Sequence, residues 1–331
     1  PTHPPATRAD LMRAPRGRLP AAAGILGALH AASFAPWPLW WLQILCLALA
    51  LRLMLTAGHE SAGRAALVAF AFGVGHYVAG LCWLYISMNR YGGMPAPLAA
   101  AAVIAFSAYL ALFTALAIAL AHAARRTQDE QRLRAAMAWA GSLASAWTLA
   151  DLARGWLFTG FPWLSVGYAH VDGPLAGLAA LVGVYGVGMV AVWTAALLAL
   201  ASMRYPRPVA RGCAGLAGAT LLAALPLGAL EFTEPAGPPV SVRLVQGNVP
   251  QQLKFDPQRT LAAMQSYAQR IAQSPAALTV LPETAWTTPW TSTPSAISAD
   301  ILAQVRGKAH AVALGLPMIE PDGTGHKITN S

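Results

Sequence analysis

Apolar residues run through the first 230 positions in long blocks. After about residue 240 the blocks shorten and alternate with polar positions. A helix needs about 17–25 mostly apolar residues to cross a bilayer core. Seven stretches meet that requirement: 20–36, 38–58, 65–88, 97–122, 135–155, 174–202 and 209–231. The first ends at Pro36-Trp37-Pro38 and reads as a short span or a re-entrant segment. Its basic lead-in, with Arg8, Arg13, Arg16 and Arg18, also has the look of a secretory leader. The second apolar block follows at once, which favours an uncleaved first span.

The pattern changes at the Pro-rich linker Glu231–Pro239. Val240–Gln246 alternates and is rich in β-branched residues, as strands are. Residues 258–273 place Leu261, Met264 and Ile271 among polar neighbours at helical spacing. A strand over 277–281, a helix over 296–309 and a strand over 311–316 follow, so the order is that of an α/β fold. The division predicted is a basic amino terminus (1–18), a membrane domain of about seven helices (19–231), a linker (232–239) and an α/β domain (240–331). The last has only about 90 residues, a size at which burial is marginal. It reads as incomplete, from a fragment or a truncated gene product.

Composition agrees with the membrane reading. The 331 residues are 56% hydrophobic and 11% charged, against about 25% charged in soluble domains. Mean hydropathy is +0.49. The net charge of +9 lies in short clusters between apolar blocks, which suits membrane orientation and argues against nucleic acid. One set of alternate connections holds Arg8, Arg13, Arg16, Arg18, Arg52, Arg64, Arg125, Arg126, Arg132, Arg134, Arg204, Arg207 and Arg211; the other holds Arg90 and Arg154. Basic residues mark the cytoplasmic side. The amino terminus is therefore expected inside, and residues 240–331 outside after seven crossings. Trp37, Trp40, Trp41, Trp83, Tyr91, Trp156, Trp163 and Tyr168 crowd the same outer connections. They form an interfacial belt or a lipid-facing working surface.

Candidate chemistry is sparse. Glu283 follows the apolar strand Leu278-Thr-Val-Leu-Pro282, and the carboxyl ends of strands commonly open into a site. There a carboxylate is a candidate general base; in water it is only a loop acid. Val245-Gln246-Gly247-Asn248 places two amides in a turn after a strand, either as donors to a ligand or as turn chemistry. Arg90 and Arg154 are either snorkelling cations or contacts for phospholipid headgroups. Cys46, Cys82 and Cys213 lie within apolar runs without metal-ligand spacing and read as small buried hydrophobes. Neither a metal nor a cofactor is called for.

Four stretches in order, GLCWLYISMNRYGGMP, RGWLFTGFPWLSVGY, VQGNVPQQLKFD and LPETAW, resemble the apolipoprotein N-acyltransferases of bacteria. The resemblance implies a nitrilase-like (αββα) domain held outside the inner membrane, in the periplasm, on a multi-span base. It implies a Glu–Lys–Cys triad acting through a Cys thioester, with a phospholipid acyl donor and a diacylglyceryl apolipoprotein acceptor. By its place in LPETAW, Glu283 matches the catalytic Glu, while Gln246, Asn248, Phe255 and Trp286 are the substrate-binding candidates beside Arg90 and Arg154. Phe255 stands where the family often has Trp. Lys327 precedes the NS motif and does not match the family's lysine, and the three membrane cysteines do not match its nucleophile. The chain as it stands is thus expected to be inactive. Two other readings compete: a membrane-tethered nitrilase-type amidase, and a transporter or scaffold with an outer binding module. Against the latter, few ionisable residues such as His30, His76 and Asp151 lie within the spans.

Overall fold

A computed structural model describes residues 18–125, 132–248, 257–283, 285–307, 310–322 and 325–330. The chain divides into two compact units that part between Thr233 and Glu234.

The first unit is helical: α1 (Arg18–Ala31), α2 (Trp40–Gly58), α3 (Ala62–Gly80), the single turn α4 (Trp83–Ile86), α5 (Ala96–Ala123), α6 (Leu133–Trp156), α7 (Ala179–Ala201) and α8 (Arg207–Ala224). Leu47, Leu51, Met54, Phe72, Leu143 and Leu197 are fully buried in its core. On α5, Ile104, Leu112, Leu116 and Leu120 are all more than half exposed, as side chains that face lipid would be. Glycine sets the closest helix approach. A Cβ on Gly27 would strike the Phe72 carbonyl, and one on Gly75 the Gly24 carbonyl. The backbones of α1 and α3 therefore meet directly, as small residues allow inside membranes.

Among the described residues, five helical segments are long and apolar enough to cross a membrane, namely α2, α3, α5, Ala176–Ala201 and Arg207–Ala229. This is a multi-pass membrane chain, but the count differs from the seven expected. The 14 residues of α1 reach about 21 Å at 1.5 Å per residue, short of a core about 30 Å thick. The 24 residues of α6 are long enough but include Arg134, Asp151 and Arg154. The third apolar block also changes shape. α3 stops at Gly80, Leu81 turns inward against Tyr77 and Leu110, and Ser87–Tyr91 forms a π-helical turn after α4. In α7 the chain kinks at Gly183, whose φ of 63° suits glycine alone.

The second unit holds a three-stranded parallel sheet in the order β1 (Val242–Leu244), β2 (Leu278–Val280), β3 (Ala311–Ala313). α9 (Pro257–Ala272) and α10 (Ser295–Gly307) connect the strands, and a hairpin of β4 (Pro317–Asp322) and β5 (Gly325–Asn330) follows. The register aligns Arg243, Thr279 and Val312 on one face and Leu244, Val280 and Ala313 on the other. Met264, Tyr267 and Ile271 of α9 and Ile297 and Ile301 of α10 pack with Val245, Leu281 and Val312, so both helices cover the first face. Thr279 on that face is satisfied, donating to Ser274 Oγ (2.8 Å) and meeting His310 Nε2 (2.9 Å). On the opposite face Val242 and Leu244 are exposed. The strand and helix order matches the sequence pattern; what stands is a small parallel sheet with helices on one face.

Candidate functional site

Parallel strands deliver their carboxyl ends to one edge, where loops gather into a crevice. β2 is the central strand, and the chain leaves it through Leu281 and Pro282. Leu281 N–H donates to the Ala313 carbonyl at 3.0 Å, so pairing persists one residue beyond the strand. The turn then closes with Ala285 N–H on the Pro282 carbonyl at 3.1 Å. Glu283 thus stands in a turn at the carboxyl end of the middle strand, with its side chain exposed.

The amide turn leaves β1 at the same edge. Val245 N–H donates to the Val280 carbonyl at 2.9 Å and Val245 is buried, which sets the following residues beside the β2 exit. Gln246 and Asn248 are both exposed, and Asn248 takes φ of 52°, a left-handed conformation that Asn adopts more readily than most residues. Between them, Gly247 is fixed by packing: a Cβ there would collide with the Tyr267 hydroxyl of α9. Burial pushes the Tyr267 phenol upward, partly offset by Arg270. Sequence reasoning missed Tyr267, because its meeting with Gly247 is a tertiary contact.

Trp286 is placed differently from the expectation of a ligand-facing ring. Its side chain is fully buried, its Nε1–H donates to Thr293 Oγ1 at 2.8 Å, and its ring lies 6.2 Å from that of Trp290. It braces the loop after Glu283 from inside. Phe255 lies outside the described residues.

In the helical unit, Arg90 is exposed on the π-helical turn. The adjoining Asn89 ties that turn down by donating from Nδ2 to the Met94 carbonyl at 2.8 Å. Arg154, expected at a surface, is 2% exposed instead. Its guanidinium pairs with Asp151 at 2.9 Å, donates to the Trp163 carbonyl at 2.9 Å and to Ser165 Oγ at 2.7 Å, and bonds the Phe161 carbonyl. The Tyr77 ring lies 5.6 Å away. A buried cation is stable only when so surrounded.

These contacts gather the loop after α6. Phe158, Thr159, Gly160 and Leu164 all have positive φ, and three of them are not glycine. Such backbone costs about 1–3 kcal/mol per residue and persists only where surroundings enforce it. The enforced loop displays Trp156 and Phe158, more than 80% exposed, and half-exposed Trp163. Phe161 turns inward, 5.0 Å from Phe106 of α5. An apolar groove of about 460 Å³ between α5 and α6, lined by Phe113, Leu116, Leu120, Leu149 and Ala153, ends at Leu157 of this loop. The first unit thus offers aromatic surface and an apolar groove at the carboxyl end of α6, and an exposed cation, Arg90, on the π-helical turn.

Comparison with known proteins gives these features a context. The family model described as the apolipoprotein N-acyltransferase N-terminal domain matches residues 26–197. The chain is 46% identical to an apolipoprotein N-acyltransferase of Ralstonia nicotianae, over 80% of this chain and 49% of that one. It is 40% identical to that of Bordetella bronchiseptica, over 96% and 62%. It is 41% identical to that of Nitrosomonas europaea, over 79% and 50%. The chain spans between about half and 62% of the length of these relatives.

Proposed function

The chain belongs to the apolipoprotein N-acyltransferase family, and from that premise we propose that it supplies the membrane base and catalytic Glu of an enzyme that N-acylates lipoproteins. The acyl chain passes from a phospholipid to the amino-terminal diacylglyceryl-cysteine of the acceptor. The observation that carries this reading is Glu283, exposed in the turn at the carboxyl end of the central strand of a parallel sheet.

In the reaction, the Glu283 carboxylate takes the proton of a Cys thiol, and the thiolate attacks the phospholipid ester carbonyl. The lysophospholipid leaves with a proton and a thioester remains. The acceptor's α-amino group then attacks the thioester, forming the amide and restoring the thiol. Dividing the transfer in this way replaces one difficult step by two easier ones. Cys46 and Cys213 are buried, whereas Cys82, expected buried, is exposed; all three lie in the first unit, and none of them is proposed as the nucleophile. By itself, then, the chain is not expected to complete the transfer. Gln246 and Asn248 are proposed to donate hydrogen bonds to substrate at the same strand edge.

The groove between α5 and α6 suits a donor acyl chain, and Arg90 suits its phosphate. Trp156, Phe158 and Trp163 then seat the loop at the lipid interface, where aromatic rings are favoured. Arg154 acts by holding that loop, not by touching lipid. The topology proposed is seven passes in a bacterial inner membrane, with the amino terminus cytoplasmic and residues 240–331 periplasmic. In it α6 crosses with its Asp151–Arg154 pair turned inward, and α1 crosses together with the turn up to Trp37. The second unit is proposed to be the first part of a nitrilase-like domain.

The test joins this chain to the C-terminal remainder of the Ralstonia relative and introduces Glu283→Gln. Loss of a general base costs about a hundredfold or more. Triacylation of a diacylated lipopeptide should fall by at least that factor while expression and unfolding temperature hold. Turnover within a few-fold of the parent chimera would overturn the assignment.

A further inference from the structure

The helix ends opposite the aromatic loop carry a second set of cavities. The carboxyl ends of α2 and α7 and the start of α8 enclose a pocket of about 470 Å³ lined by Arg52, Thr56, His59, Arg204 and Tyr205. Pro206, the residue before α8, also lines it, so the positive end of an 18-residue helix adds to the field. Glu60, which follows the lining His59, pairs with Arg64. A cavity with this lining favours an anion.

Beside it lies a cavity of opposite character. Between α1 and α2 runs an open groove of about 570 Å³ lined by Ala22, Ile25, Leu26, Leu49 and Leu53, and it shares Arg52 and Thr56 with the basic pocket. Leu49 and Thr56 are seven residues apart on α2, so the groove runs at least about 10 Å along the helix at 1.5 Å per residue. A cationic pocket that continues into an apolar groove has the shape of an amphiphile: phosphate at one end, hydrocarbon at the other.

We propose that this pair of cavities is a binding site for an anionic phospholipid, separate from the acyl donor's groove and at the opposite ends of the helices. The phosphate sits among Arg52, His59 and Arg204, and an acyl chain lies between α1 and α2 over Ile25, Leu49 and Leu53. Basic pockets between membrane helices capture anionic headgroups in this manner. A free phosphate ion would use the same cations but would leave the groove empty, which separates the two sources. A lipid there would also brace the short α1 against its neighbour.

The chain purified in nanodiscs of dioleoylphosphatidylcholine is titrated with dioleoylphosphatidylglycerol and read by native mass spectrometry. Inorganic phosphate is titrated in a parallel arm. The chain should retain phosphatidylglycerol in preference to phosphatidylcholine. Each arginine near a lipid surface contributes about fivefold in binding, so the double variant Arg52→Gln/Arg204→Gln should lose roughly thirtyfold. Ile25→Trp fills the groove at a side chain that is mostly exposed. It should weaken phosphatidylglycerol retention and leave phosphate binding alone. If the arginine pair is needed for folding, the Ile25→Trp arm decides the question by itself. Retention unchanged in both variants would overturn the proposal. So would phosphate displacing the lipid at equal concentration with Ile25→Trp silent, which would show an ion site without a lipid.

Discussion

Replacing Arg154 by glutamine removes the cation around which the α6 loop is gathered, and the structure sets the scale of the loss. The guanidinium makes four polar contacts, to Asp151, Phe161, Trp163 and Ser165. Charged hydrogen bonds contribute about 1.5–3 kcal/mol each when treated separately, which would imply on the order of 6–12 kcal/mol. Two effects lower this. Freed groups of an unfolded membrane chain find other partners. The Asp151 side chain keeps 15% exposure, so water reaches the abandoned carboxylate. The cost of breaking a buried ion pair, about 3–5 kcal/mol, is therefore the better figure. Arg154→Gln should lower the unfolding free energy of the purified chain in micelles by that amount. Adding Asp151→Asn should recover a substantial part, because it removes the unpaired charge. Amide hydrogen exchange across 157–165 should rise sharply in the single variant, beginning with Phe161, whose N–H is held by the Arg154 carbonyl at 2.9 Å. A loss below about 1 kcal/mol together with unchanged exchange over that loop would refute the reasoning.

Gly247→Ala puts a methyl group against the Tyr267 hydroxyl and should destabilise the second unit by about 1–3 kcal/mol, the usual range for overpacking. Tyr267→Phe in the same chain should relieve only part of it, because the ring Cζ still lies 2.6 Å from the added carbon, as denaturant unfolding of the pair would show. The Tyr267 phenol is raised from its ordinary value of 10.0, so the folded state favours the neutral ring. That contribution is complete below pH 10.0 and disappears as pH rises through the higher folded value. Unfolding of the second unit should therefore steepen above pH 10, and Tyr267→Phe should flatten that limb. An unchanged alkaline limb in Tyr267→Phe would count against the assignment.

Much of the architecture could be read from the chain because the period of its apolar residues was strong. α2, α5 and the α7–α8 pair are long apolar runs whose length alone implies a helix able to span. The β1–α9–β2–α10–β3 order followed from alternation that gives way to helical spacing. What could not be read depends on contacts distant in sequence. Leu81 and Cys82 are apolar, so no hydropathy pattern marks the turn that ends α3. The burial of Arg154 depends on carbonyls seven and nine residues onward, and composition does not reveal which arginine will be surrounded. The edge position of Glu283 was legible because it follows a strand. The inward turn of Trp286 was not, since its partner Thr293 lies across a loop rich in Pro and Thr.

The Asp151–Arg154 pair also bears on how the chain is inserted during synthesis. An Asp or Arg near the middle of a segment costs about 2.5–3.5 kcal/mol at the translocon, and less towards the ends. α6 carries Arg134 at its start and Asp151 and Arg154 within its last six residues, so the cost is a fraction of the central value. Presented alone, such a segment gains less from lipid than the uncharged α5 does. Presented with α5 and α7, against which it packs, it hides the pair before lipid surrounds it. On the proposed topology α6 is therefore expected to settle after α7 has emerged, with α5 already beside it. The arginine that shapes the finished loop would then also couple the entry of α6 to that of its neighbours.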